Sequence, residues 1–261
     1  MTADERAPLG ILVRRLERAS RLDEVEAEAL LALPHTVRDV SSGAVIGHVG
    51  ERPGHCCLIA EGFLCRDQST SDGRRQILSF YIPGDIPDLQ TLHLKTLDHN
   101  VVALTDARVI FIAHDVLTAL CRERPVIGEA LWRETLIDAA ITRSWITMIG
   151  RNSARVRVAH LICELALRLD VVDMAEAMEF KMPITQQEVG DALGLSIVSV
   201  NRALQDLRSQ KLISLKRRVL TVHDWDRMKR VGQFDPLYLH LHGAPPGSGI
   251  EQAPRGGSPG S

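Results

Sequence analysis

The 261-residue sequence is poor in several features that would place it quickly. It has five cysteines (Cys56, Cys57, Cys65, Cys121 and Cys163), an odd number with no CxxC pair. A disulfide scaffold is therefore excluded, and reduced thiols are the expectation. No apolar stretch approaches the ~20 residues of a membrane span. The charged start, Met1-Thr-Ala-Asp-Glu-Arg, has no apolar segment behind it, so no secretory signal is expected. These absences suggest a cytoplasmic protein without a membrane partner. The catalytic patterns G-x-S-x-G, P-loop, H-E-x-x-H and G-x-G-x-x-G are also missing, so no enzyme is expected. His223, His240 and His242 do not have zinc-ligand spacing, and no metal site is assigned.

Net charge is only −2, from 31 basic and 33 acidic residues, but its distribution is uneven. Residues 1–150 carry 16 basic and 21 acidic side chains, whereas residues 151–230 carry 14 and 10. A basic block behind an acidic one suggests that only the second meets a polyanion.

The hydrophobic pattern divides the chain. Leu9, Leu12 and Leu16, then Leu22, Val25, Leu30 and Leu33, predict helix over residues 8–33, ended by Pro34. From Thr36 to Ala113 short β-branched runs alternate with turn signals such as Asp72-Gly73 and Pro83-Gly84. That pattern predicts an antiparallel barrel or double-sheet roll. Pro125 can open a long helix. In it Ile137, Ile141, Trp145 and Met148 recur at four- and three-residue steps and predict a dimer seam, interrupted by Glu134 and Asp138. Ser153 to Leu169 reads as another amphipathic helix. The expected divisions are 10–124, a roll; 125–150, the dimer helix; 151–240, a second domain; and 241–261, a disordered tail. Residues 243–261 hold six Gly, four Pro and three Ser.

The informative segment is Ile184 to Arg208. Thr185 and Glu188 have capping-box spacing, and Gly194 suits a left-handed helix end. Ser196 can cap a second helix with Val200, Leu204 and Leu207 turned inward. Two helices around a tight glycine turn match a helix-turn-helix, whose second helix enters the major groove. Thr185, Gln186 and Ser196 then lie near the DNA. Ile197, Val198, Ser199, Asn201 and Arg202 can face outward. Arginine can grip guanine, asparagine can grip adenine, and the two apolar residues suit thymine methyls. Lys216, Arg217 and Arg218 lie between two short β runs, as the tip of a wing placed for phosphates. Double-stranded DNA is the expected partner. A roll that binds another protein, with vestigial DNA binding, is the alternative.

The chain as a whole resembles the Crp/Fnr family of bacterial transcription regulators over about residues 10–240. The resemblance rests on Phe80-Tyr-Ile-Pro-Gly-Asp85, the long helix, Thr185-Gln-Gln-Glu-Val-Gly-Asp-Ala-Leu-Gly-Leu-Ser196 and Val200-Asn-Arg202. Together with Leu97-Asp-His-Asn100 these are similar to an alphaproteobacterial branch. The resemblance implies an α+β protein with an N-terminal cyclic-nucleotide-binding-type β-roll, a long dimerisation helix and a C-terminal winged helix-turn-helix. It also implies a homodimer on a near-palindromic operator, with DNA binding modulated through the roll and RNA polymerase a candidate partner.

The sequence departs from that pattern in three places. Cyclic-AMP-binding members carry Gly-Glu-Leu followed by Arg-Ser. Here Ile-Pro-Asp-Leu-Gln follows Gly84-Asp85, and His99-Asn100 stands near the Arg-Ser position. Neutral histidine is a poor replacement for guanidinium, so cyclic nucleotide is not expected. Gly84, Asp85, Asp88, Asp98, His99 and Asn100 remain candidates for another effector's pocket, or are turn and surface residues. Iron–sulfur members need about four thiolates, several of them N-terminal. The first 55 residues here have none, so no cluster or other cofactor is expected. Finally, Val198 stands where relatives commonly have Glu, so the operator should differ at that base pair.

Overall fold

The computed structural model describes residues 7–20, 22–176 and 178–241. The expected disordered tail, 241–261, lies outside the described residues except for Leu241.

The N-terminal helical stretch is two helices, not the single one expected. α1 (Gly10–Ala19) ends at Ser20, and α2 (Glu24–Leu31) starts from Asp23, whose carboxylate accepts from Val25 N at 2.8 Å and Glu26 N at 3.0 Å. The Asp23 N-cap starts this second helix.

The roll follows as β1 (Thr36–Val40), β2 (Val45–Gly47), β3 (His55–Glu61), β4 (Leu64–Ser69), β5 (Arg75–Tyr81), β6 (Asn100–Ala103) and β7 (Ala107–Ala113). A short α3 (Thr91–Leu94) lies between β5 and β6. The strands pair antiparallel in two sheets, ordered β1-β7-β3 and β2-β6-β4-β5. Cys57, Ile59, Leu64, Tyr81, Val109 and Phe111 form a core of their own within the strands. Alternate residues such as Cys56, Leu58, Phe80, Ile110 and Ile112 join the large core shared with the helices. Burial on both faces explains the unbroken apolar runs of β3 and β7. β1 is almost wholly exposed and β4 reads Leu-Cys-Arg-Asp-Gln-Ser, so neither gives an apolar run in the sequence.

α4 (His114–Glu123) leads into the 27-residue α5 (Pro125–Arg151), which opens on Pro125 as expected. α6 (Ala154–Val171) is capped by Ser153. The winged-helix half then adds β8 (Ala175–Glu176), β9 (Glu179–Lys181), α7 (Gln186–Leu193), α8 (Ile197–Ser209), β10 (Ile213–Lys216), β11 (Val219–Val222) and α9 (Trp225–Gly232). Its sheet runs β10-β11-β9-β8. A 3₁₀ turn at Pro236–Leu239 returns to α6, where Tyr238 stacks on His160 with ring centroids 5.8 Å apart.

Candidate nucleic-acid interface and effector cavity

The helix-turn-helix is built by local chemistry. Thr185 Oγ1 accepts from Glu188 N at 3.2 Å and Glu188 Oε2 accepts from Thr185 N at 2.6 Å, a complete capping box. Gly194 closes α7 at φ +63°, a left-handed conformation suited to glycine. A Cβ on Gly190 would stand 2.7 Å from the Leu195 carbonyl oxygen, so glycine is what lets the turn close against α7. Ser196 caps α8 by accepting from Ser199 N at 3.2 Å, and the two serine hydroxyls are 2.9 Å apart. Thr185, Ser196 and Ser199 thus have structural work at the helix starts, beside any contact with DNA.

Val200, Ala203, Leu204 and Leu207 bury the inner face of α8. Its outer face carries Ile197, Val198, Asn201, Arg202 and Gln205 around one shallow concavity. Val198 is 69% exposed and Ile197 48%. Gln205, which the sequence pattern did not single out, continues the same stripe one turn beyond Arg202. The wing is the hairpin β10–β11, where Lys216 pairs with Val219 and the turn is Arg217-Arg218. Both arginines adopt left-handed backbone, φ +50° and +64°, in the two-residue turn geometry that follows strand twist. All three cations at the tip are exposed.

The expected dimer seam is corrected by the structure. Ile137, Ile141, Trp145 and Met148 are each no more than 3% exposed and belong to the chain's own core. Trp145 meets the Phe80 ring edge-to-face at 5.9 Å and donates to Glu164 at 2.9 Å. The carboxylates on that line also turn inward: Asp138 accepts from Arg66 at 2.6 Å and from the Tyr81 hydroxyl at 2.7 Å. The face left open on α5 holds Trp132, Leu136, Ala139, Arg143, Ile146 and Gly150, at steps of four, three, four, three and four.

The six expected pocket residues do not form one pocket. Gly84 and Asp85 line a cavity of about 110 Å³ between α1, the roll and α5, with Arg15, Arg66, Glu134 and Arg168. Asp98 and His99 line a separate open cleft of about 550 Å³, with Arg66, Gln90, Leu94, Thr142, Trp145 and Ile146. Asp88 and Asn100 line neither of these. Asp88 accepts from Cys57 N at 2.8 Å, and burial raises its carboxyl to about 6. Asn100 ties Asp67 to Val49 N. Burial lowers the pKa of His99, which favours the neutral ring.

Arg66 is the central polar group that the sequence did not reveal. Its Nε donates to Pro87 O at 2.7 Å, Nη1 to Asp138 at 2.6 Å and Nη2 to Gln90 at 3.0 Å. Arg15 is paired with Glu134 at 3.0 Å and Asp85 at 3.5 Å. Four cysteines sit in the core, where burial raises the thiols of Cys56, Cys57 and Cys163, and that of Cys65 to about 12, whereas Cys121 is half-buried. Such thiols hold their protons and are poor nucleophiles.

The two halves are joined by buried charge. Arg168 on α6 donates to Asp85 at 2.7 Å, to Phe80 O at 2.9 Å and to Glu164 at 3.1 Å. Burial opposes its charge, but Asp85 and Glu164 more than offset this and raise its pKa. Glu164 also accepts from Trp145 and, at 2.8 Å, from Tyr238. Glu164 and Arg168 stand four apart in an otherwise apolar run, Leu161 to Leu169, which is the available sequence signal for a buried pair. A second junction sets the back of α7 on β5: Arg75 meets Asp191 at 3.2 Å, and Gln76 donates to Ala192 O at 3.1 Å.

Residues 37–124, spanning the strands of the roll, match the cyclic nucleotide-binding domain, and residues 156–231 match the Crp-like helix-turn-helix domain. The chain belongs to the Crp/Fnr family. It is 26% identical over 220 residues to the transcriptional activator protein FnrL of Cereibacter sphaeroides, covering 83% of this chain and 88% of that one. It is 30% identical over 162 residues to the nitrogen fixation regulation protein FixK of Azorhizobium caulinodans, covering 61% and 64%. The structure of FixK2 from Bradyrhizobium japonicum superposes with a TM-score of 0.70 at 24% identity, covering 76% of this chain and 98% of that one. Fold and family together make this Crp/Fnr chain a DNA-binding transcription regulator with a sensor-type roll. Among the described residues no helix is long and apolar enough to cross a membrane.

Proposed function

We propose that the protein acts in the cytoplasm as a homodimer on a near-palindromic operator, and regulates transcription rather than catalysing a reaction. The observation that carries this reading is the outer face of α8. It shows exposed methyl groups and Arg202, which has no hydrogen-bond or ion-pair partner among the described residues. Exposed apolar groups at the start of a helix are costly in water and useful against thymine methyls. The stripe from Trp132 to Gly150 supplies a coiled-coil-like face for the second copy; Trp132 is 66% exposed and Ile146 67%. Two subunits so joined would set their α8 helices in successive major grooves, with half-site centres roughly 10–10.5 base pairs apart. RNA polymerase would then be met on the DNA-bound dimer.

The residues of the roll do not fit a cyclic nucleotide. A cyclic phosphate needs an available cation, and the arginines lining the two cavities, Arg15, Arg66 and Arg168, are each neutralised by a carboxylate. An uncharged, largely apolar effector suits the 550 Å³ cleft better, since it leaves these pairs intact. Signal would reach the winged helix through Asp85–Arg168 and Arg75–Asp191. The test is selection from random duplexes by the purified protein, followed by footprinting with and without cell metabolites. Dyad-symmetric enriched sites are expected; sites without dyad symmetry would overturn the reading.

A further inference from the structure

Among the described residues, one side-chain hydrogen bond ties the first helix of the helix-turn-helix to the recognition face. Asn201 Nδ2 donates to Gln186 Oε1 at 3.2 Å, bridging the outer face of α8 to the first residue of α7. Both side chains are half-buried, whereas their neighbours Val198, Arg202 and Gln205 are exposed. In this arrangement Gln186 is the acceptor, which turns the Asn201 amide with Nδ2 toward α7. With Nδ2 turned to Gln186, Oδ1 lies on the other side of the amide carbon, and it has no partner among the described residues.

That orientation matters because α8 carries no carboxylate on its outer face. Ile197 and Val198 offer methyl groups, Arg202 only donors and Gln205 an exposed amide with no hydrogen-bond partner among the described residues. A base amino group in the major groove, the N6 of adenine or the N4 of cytosine, needs an acceptor on the protein. An amide presenting its oxygen together with its remaining N–H matches adenine, whose N6 donates and whose N7 accepts. An amide turned over would present donor to donor.

We propose that Gln186 is a specificity-positioning residue: by accepting from Asn201 it fixes the amide so that Asn201 reads adenine beside the guanine read by Arg202. The proposal rests on the assignment of α8 to the major groove. It gives Gln186 a role in sequence preference, although Gln186 need not touch a base.

The test is selection from random duplexes with the full-length protein, its Gln186→Leu, Gln186→Glu, Asn201→Ala and Arg202→Ala variants, and thermal melting of each. The wild type is expected to favour adenine at one base pair per half-site by roughly 10- to 100-fold. Asn201→Ala should abolish that preference. Gln186→Leu, which removes the acceptor at similar size, should cut it to a few-fold while leaving the guanine preference and the melting temperature unchanged. Gln186→Glu keeps an acceptor oxygen and should retain the adenine preference, with lower overall affinity from its charge near phosphate. A base other than adenine at the position where Asn201→Ala relaxes the preference would overturn the proposal. So would a Gln186→Leu variant weakened equally on all sequences, which marks a phosphate contact only. If Arg202→Ala also changes no base preference, the assignment of α8 itself fails; if it relaxes its own base pair, only the role of Gln186 is withdrawn.

Discussion

Arg168 and Asp85 lie 83 positions apart in the chain and meet at 2.7 Å, both side chains less than a tenth exposed. One belongs to the first helix of the winged-helix half, the other to the turn after β5. A buried pair of this kind is weak evidence of net stability, but breaking it by removing one partner is expensive. Arg168→Met should cost about 3–5 kcal/mol in urea denaturation, because Asp85 and Glu164 lose their shared cation. Arg168→Met with Asp85→Asn should lose less than Arg168→Met alone. A loss below about 1 kcal/mol for the single variant would show that the junction is solvated.

The two stripes of α5 predict opposite outcomes. Leu136→Glu, on the exposed face, should convert the dimer to a 28.8 kDa monomer, with its melting temperature little changed apart from the effect of dissociation. Ile141→Glu, 3% exposed, should instead unfold the chain, since it buries an unpaired charge. Light scattering of both proteins, with melting curves, decides the matter. A monomeric wild type at micromolar concentration would contradict the proposed seam.

On DNA, reading and gripping should separate. Arg202→Ala should cost about 1–3 kcal/mol on the specific site and relax one base pair per half-site. Arg217→Ala, at the wing tip, should weaken specific and random duplexes about equally. It should also flatten the salt dependence, by about one unit of slope for each phosphate that is no longer neutralised. Binding titrations over a range of salt concentrations measure both effects.

Asp88 supplies a pH dependence. Its carboxyl rises from 3.8 to about 6 because burial disfavours the charge. The native state therefore binds more protons than the unfolded chain between about pH 4 and pH 6. The contribution to stability is full below that window and is lost as pH rises through it. Asp88→Asn should flatten the profile there and stabilise the protein at pH 7 by up to roughly 3 kcal/mol, since an amide oxygen can still accept from Cys57 N. A variant no more stable than wild type at pH 7 would mean that Asp88 is charged and solvated.

Calorimetry tests the character of the effector. Cyclic AMP and cyclic GMP should bind no better than millimolar, because the cation nearest the cleft, Arg66, already commits its donors to Pro87, Asp138 and Gln90. Micromolar binding of either would require that Arg66 leave Asp138.

The sequence by itself determined the parts whose chemistry is local. Thr185, Glu188, Gly194 and Ser196 specify two capped helices and the turn between them within 12 residues, and Pro125 marks the start of α5. The basic tip of the wing was equally legible. Tertiary structure decided what depends on distant partners. Periodicity along α5 defines stripes but not which of them meets the core. The stripe of Ile137, Ile141, Trp145 and Met148 turns inward because Phe80 and Glu164 wait there, leaving Trp132, Leu136 and Ile146 outside. The polar strands β1 and β4 are held by pairing with β7, β5 and β6, which no local pattern announces. Arg66, Arg168 and Asp85 become central for the same reason: a side chain's role is set by the charges and carbonyls that folding brings within hydrogen-bond reach, and the partners Pro87, Asp138, Phe80 and Asp85 lie 21 to 88 residues from the arginines they meet.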